Sequence, residues 1–185
     1  MSLTGRFPVA LALVAALGSG GGAGRPAVNG LPVVAGAFAI GYVHSIYRAP
    51  SAEVFTVEGR RFTMRAVLSV NEGVLDYYAV EGERVRLPGD VWLLRLAEPA
   101  SYEELSLLTT SIGRRTVVSG GRCLPLYPAT GAREVRLTVG LTQDAHGGPC
   151  DHNQSFFLKT MYNPTDIATI STEDTQKPQT SPVPG

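Results

Sequence analysis

No run of apolar residues between Leu31 and Gly140 keeps a helical spacing over a useful length, and this more than anything else limits what the chain can fold into. The stretch is made instead of short apolar or alternating runs: Phe38–Val43, Glu53–Val57, Phe62–Val70, Leu75–Val80, Val91–Leu96, Glu104–Thr110, Thr116–Val118, Cys123–Tyr127 and Glu134–Val139. In Glu134-Val-Arg-Leu-Thr-Val139 apolar and polar residues alternate, as they do in a strand with one face buried and one wet. Turn residues separate the runs. Glu58-Gly59-Arg60 reads as a hairpin connection, and Glu72-Gly73, Glu81-Gly82, Pro88-Gly89-Asp90 and Gly120-Gly121 punctuate in the same way. The pattern predicts an all-β domain, a small antiparallel β-sandwich or a partly closed barrel. The best helix candidate is Ser101–Leu108, where Ser101 can cap and Glu104 stands at N3. Its rival is a strand with Leu105, Leu107 and Thr109 on one face.

The ends differ from this centre. Arg6 precedes the apolar run Val9–Leu17, and small residues follow from Gly18 to Gly24. Those are the parts of a secretory signal, and the run is shorter than the roughly 20 residues a membrane span needs. Residues 1–24 are therefore read as a signal peptide or an uncleaved anchor, which would be the chain's only contact with a membrane. Residues 25–141 are read as the β domain. Residues 142–185 are polar and are read as a largely disordered tail, with Ser155–Tyr162 as one further strand candidate. The expected location is outside the cytoplasm, in the periplasm or on the outer face of the cytoplasmic membrane. Cys123 and Cys150 are the two cysteines, and an exported pair can bond, although spacing cannot reveal whether this one does.

Charge narrows the partners. Lys+Arg and Asp+Glu both number 16 in 185 residues, so the formal net charge is zero. Nucleic-acid binding draws on an excess of Lys and Arg to neutralise phosphates, so that class is set aside. No Walker loop, Gly-x-Gly-x-x-Gly or Cys-x-x-Cys occurs, and no cofactor is indicated.

Chemistry-bearing residues concentrate in Tyr42-Val-His-Ser-Ile-Tyr-Arg-Ala-Pro50, followed by Glu53. Tyr42, His44, Ser45, Arg48 and Glu53 are the candidate ligand-binding residues. If the strand ran on through Ile46, Tyr42, His44 and Ile46 would share one face and Ser45 would point away. That geometry weighs against a Ser45–His44 hydrolase, and no Gly-x-Ser-x-Gly elbow occurs elsewhere, so no catalytic residue is assigned. A His44–Glu53 pair can close the turn structurally, hold a ligand or share a metal. His146, Cys150 and His152 form a second cluster, a weak metal candidate without an identifiable fourth ligand. Arg60-Arg61 and Arg114-Arg115 read as solvated pairs, and Trp92 as core.

The run Phe38–Phe55 resembles the opening motif of the bacterial domain-of-unknown-function 1850 (DUF1850) family: an aromatic-rich strand, His-Ser, a spacer, Pro, then Glu before a second strand. Leu107–Gly113, Arg115–Val118, Gly120-Gly-Arg122, Pro125-Leu-Tyr127 and Val135–Val139 resemble its closing strands. The resemblance covers roughly Leu31 to Gly140 and points at His44, Ser45, Pro50 and Glu53. Tyr47 departs from the acidic residue many members carry there. What the resemblance implies is a signal-bearing envelope protein, often encoded beside TAXI-type tripartite ATP-independent periplasmic (TRAP) transporters, whose subunits would be its partners.

Overall fold

The computed structural model describes residues 24–150. The signal segment, His152, the Ser155–Tyr162 strand candidate and the rest of the predicted tail lie outside the described residues.

Twelve strands and one short helix are described. In chain order they are β1 (Arg25–Val28), β2 (Leu31–Pro32), β3 (Ala37–Val43), β4 (Pro50–Glu58), β5 (Arg61–Ser69), α1 (Gly73–Tyr77), β6 (Gly82–Leu87), β7 (Val91–Tyr102), β8 (Glu104–Thr110), β9 (Thr116–Ser119), β10 (Arg122–Pro125), β11 (Ala132–Thr142) and β12 (Gly148–Pro149). The strands form two antiparallel sheets, of order β2-β1-β11-β8 and β12-β10-β9-β3-β4-β5-β7-β6, in an all-β, sandwich-like arrangement with no closed barrel.

Alternation along the strands decides which residues meet. Phe38, Ile40, Phe55, Val67 and Leu94 fall on one face of the larger sheet and pack with Val28, Leu137 and Val139 of the smaller one. Phe38 and Phe55, directly opposite each other across β3 and β4, stack at 4.9 Å, and Phe62 tilts against both at 5.7 Å. Each such side chain is fully buried and contributes roughly 1.5–3 kcal/mol by leaving water. Ala52, Val54, Ala66, Leu68 and Leu93 occupy the intervening positions and form a second buried cluster on the opposite face.

The hairpin expected at Glu58-Gly59-Arg60 is present, with Glu58 opposite Arg61, and Gly120-Gly121 closes β9 onto β10 with both glycines at positive φ. Ser101–Leu108 takes the strand alternative: Leu105 and Leu107 lean on the core and Thr109 is fully buried.

Three expectations are corrected. Leu75–Val80 is not a strand. The Asn71 side chain accepts from the Gly73 N–H (2.9 Å) and starts a helical turn, so that Val74, Leu75 and Tyr78 face the core together. Glu81-Gly82 is not a simple turn, because Gly82 opens β6 hard against β7. A Cβ there would overlap the Arg95 carbonyl oxygen. Gly82→Ala is accordingly expected to cost about 1–2 kcal/mol in chemical denaturation, with the β6 amides losing exchange protection first. Finally, the described fold runs past the expected boundary at 141. β11 extends to Thr142, and β12 pairs with β10 where Cys150 bonds Cys123, their Cα atoms 4.9 Å apart.

Candidate functional site

β3 ends at Val43, and the backbone then turns. The His44 N–H donates to the Ala49 carbonyl (2.9 Å), residues 45–47 form the turn, and Arg48 adopts a left-handed φ of 51°. The Tyr42–Ile46 strand considered above therefore stops short, and its shared face does not extend to Ile46, which is 62% exposed. Beneath the turn, the Ser51 hydroxyl lies within hydrogen-bond distance of the Ala49 carbonyl (3.2 Å) and of the buried Ser69 hydroxyl (3.0 Å), which ties the turn to β4 and β5.

Glu53 lies in β4 two residues from Phe55, so alternation turns its carboxylate toward the core side, where only 8% of the residue is exposed. A carboxylate in that position needs partners. Tyr78, just beyond α1, donates its hydroxyl to Glu53 Oε1 (2.7 Å), and Arg115, just before β9, reaches both carboxylate oxygens from Nη1 at 3.4 Å. Since the Tyr78 proton is directed at Glu53, Tyr42 donates to the Tyr78 oxygen, at 2.5 Å. The Arg115 guanidinium also lies over the Tyr42 ring, 4.9 Å from its centroid. Burial, and then the Glu53 charge, push the Tyr42 hydroxyl up to about 12. The same two causes raise Tyr78 much further, so both phenols stay protonated at any physiological pH.

These groups line one side of a cavity of about 360 Å³, near the small end of the roughly 300–1,000 Å³ typical of ligand pockets. His44, Ser45 and Tyr77 line it as well, with Leu108 of the other sheet. His44 is 7% exposed. Its ring meets Tyr77 edge-on at 5.0 Å and tilts against Tyr47 at 5.3 Å. Nδ1 accepts weakly from the Tyr47 N–H (3.4 Å), which places the proton of the neutral ring on Nε2. Tyr47 is held in turn by the start of α1, where the absence of a Cβ on Gly73 leaves room for the phenol ring.

Burial lowers the His44 pKa from its ordinary value of 6.5. As the pH falls below 6.5, the unfolded chain takes up this proton before the folded one does. The contribution to stability is thus complete above 6.5 and declines on acidification toward the lowered folded value. Urea midpoints measured between about pH 7.5 and pH 5 are expected to fall, and to fall less in His44→Gln. An equal decline in both proteins would show that other groups carry the effect.

The structure thus unites Tyr42, His44, Ser45 and Glu53 around one cavity but pairs them differently from the expected His44–Glu53 couple. Among the described residues no hydrogen bond joins His44 to Glu53, and none joins Ser45 to His44. Arg48 is exposed and does not line the cavity. Arg115, read from sequence as half of a solvated pair, is inside the site, and only Arg114 of that pair is exposed. Tyr77, Tyr78 and Arg115 carry no local signal, because each is a tyrosine or arginine beside a turn. What could have found Arg115 and Tyr78 is the demand created by Glu53, a carboxylate in phase with core residues.

Of the second cluster, His152 lies outside the described residues, and Cys150 has no free thiolate to offer a metal. Cys150 is bonded to Cys123, and His146 covers the open side of Gly30 while its N–H donates to the Gly30 carbonyl (2.9 Å). No group of three or more metal-ligating side chains occurs among the described residues. Trp92 packs partly buried against the core, with Arg86 5.4 Å above its ring. A larger groove of about 630 Å³, walled by Val33, Val57 and Leu141, has Arg60 as its one charged lining residue and no convergent polar groups.

No family model, no curated protein and no solved structure matches this chain. The class therefore rests on fold and site alone: an all-β sandwich-like domain with a hydrogen-bonded Tyr42–Tyr78–Glu53–Arg115 cluster at the wall of a small cavity.

Proposed function

We propose that this chain is an exported, non-enzymatic binding module that takes a small molecule into the cavity beside His44. The observation that carries the reading is the cluster of buried and half-buried polar side chains that β3, β4 and the segments flanking α1 and β9 bring onto one concave surface. A fold that needed only to pack would not gather a carboxylate, a guanidinium, an imidazole and two phenols there, since each costs desolvation energy. The Cys123–Cys150 bond supports export, because such bonds persist in oxidising compartments. The resemblance to the DUF1850 family supports placing the module in the bacterial envelope, at the periplasmic face, as an accessory to a TRAP-type transporter. Hydrolysis is the less favoured reading: it needs Ser45 within hydrogen-bond reach of His44, and no hydrogen bond links them.

Amide spectra of the protein titrated with neutral fragments such as phenol and benzamide test the site. Shifts concentrated at Val43, His44, Tyr77 and Arg115 are expected. Shifts confined to the groove near Leu141, or none anywhere, would refute it. The partner is tested separately, by purifying the tagged chain from membranes and looking for secondary-transporter subunits. Their repeated absence, together with unchanged solute uptake on deletion, would refute that part.

A further inference from the structure

We infer that the cavity takes a small carboxylate with a flat apolar body, anchored by the Arg115 guanidinium and by His44 Nε2–H. This rests on the binding-module reading above and adds the chemical class of the ligand.

The hydrogen-bonding groups of the cavity divide into engaged acceptors and unengaged donors. Glu53 is the one carboxylate lining the cavity, and it is already engaged: Oε1 accepts from Tyr78 and Arg115, and Oε2 from Arg115. Tyr78 spends its proton on Glu53, and Tyr42 spends its own on Tyr78. Donors, by contrast, are left over. Arg115 uses only Nη1. Among the described residues its Nε and Nη2 have no side-chain partner, and neither is sealed from solvent. His44 uses Nδ1 as an acceptor, so Nε2 carries a proton with no partner among the described residues, and that nitrogen too is not sealed. A guanidinium with unused parallel N–H groups matches a planar carboxylate better than any other common group. An ammonium ligand would need an unengaged acceptor, and the cavity offers none of comparable strength.

The remainder of the surface describes the rest of the molecule. Tyr77 and Leu108 line the cavity and are both largely exposed, at 63% and 68%, which leaves apolar surface for a ligand to cover. At about 360 Å³ the space suits a single ring or a short chain. The engaged Glu53 charge has a consequence of its own. It stands next to the anchor and opposes a second carboxylate, so it limits affinity for this class. Its neutral isostere should bind such ligands more tightly, whereas a cation would lose its attraction.

Three ligands of nearly one shape separate the possibilities: benzoate, benzamide and benzylamine, titrated by calorimetry and amide spectra near neutral pH. Benzoate is expected to bind at His44 and Tyr77 at least about tenfold more tightly than benzamide, with benzylamine weaker still. Arg115→Lys keeps the charge but loses the planar fork, and should weaken benzoate by about tenfold. Glu53→Gln should tighten it severalfold. Circular dichroism of each variant establishes that it is folded before binding is compared. Preference for benzylamine, or a weakening of benzoate by Glu53→Gln, overturns the inference. Cavity shifts with phenol or benzamide but none with benzoate overturn the ligand class and leave the binding module standing. No cavity shift with any probe overturns both.

Discussion

Cys150→Ser is expected to lower the free energy of unfolding by about 3–4 kcal/mol, the loop-closure term for a bridge spanning 27 positions. The bond does more than shorten the unfolded chain. β12 has two residues, and its pairing with β10 consists of Arg122 opposite Pro149 and Cys123 opposite Gly148. So short a strand cannot hold itself in register through its backbone bonds. What else fixes it is the Arg122 guanidinium, which donates to the Gly147 carbonyl at 2.6 Å. Cys150 is the better position to change, because Cys123 is 2% exposed and a polar replacement there would add a burial penalty unrelated to the bridge. Guanidinium denaturation of the oxidised protein, of the protein with reductant and of Cys150→Ser should give one high midpoint and two similar lower ones. A difference under about 1 kcal/mol would mean that the bridge merely decorates the edge of the sheet.

Glu53→Ala should cost about 2–3 kcal/mol. Removing the carboxylate leaves the Tyr78 hydroxyl without its acceptor and the Arg115 guanidinium without its counter-charge, both in a partly closed space. The figure is set below that for a wholly enclosed pair because the Arg115 side chain retains 24% exposure and the contact is 3.4 Å. Arg115→Ala removes the other half, and the double variant should be less destabilised than the sum of the singles, by about 1 kcal/mol. Additive losses would show that Glu53 depends on Tyr78 rather than on Arg115. Glu53→Gln should lose less than Glu53→Ala, because the amide oxygen can still accept from Tyr78.

Most of the strands could be read from the chain because their signal is local. Phe38–Val43 declares itself as a short apolar run and Phe62–Ala66 and Glu134–Val139 by their alternation, and the glycines at 59, 120 and 121 mark their hairpins. β6 escaped because Gly-Glu-Arg-Val-Arg-Leu is an edge strand with few apolar residues, and its opening glycine imitates a turn. α1 escaped because five residues are too few to display a helical period, so Leu75 and Tyr77 looked like alternation. In the site, Tyr42, His44, Ser45 and Glu53 lie on one hairpin and could be named together. Tyr78 and Arg115 lie 25 and 62 positions from Glu53, and only the folded topology brings them to it. The cysteines illustrate the same limit: their spacing left the bond open, and a two-residue strand at the sheet edge decided it.

The two margins of the eight-stranded sheet are defended in different ways. At one, β6 presents Glu83, Arg84 and Arg86. At the other, β12 offers only two rungs and is stapled in place. Unpaired backbone along a sheet margin is a template on which neighbouring molecules zip together. Cutting the staple frees the far side of β10, so a reduced sample should cluster at concentrations where the oxidised one stays dispersed.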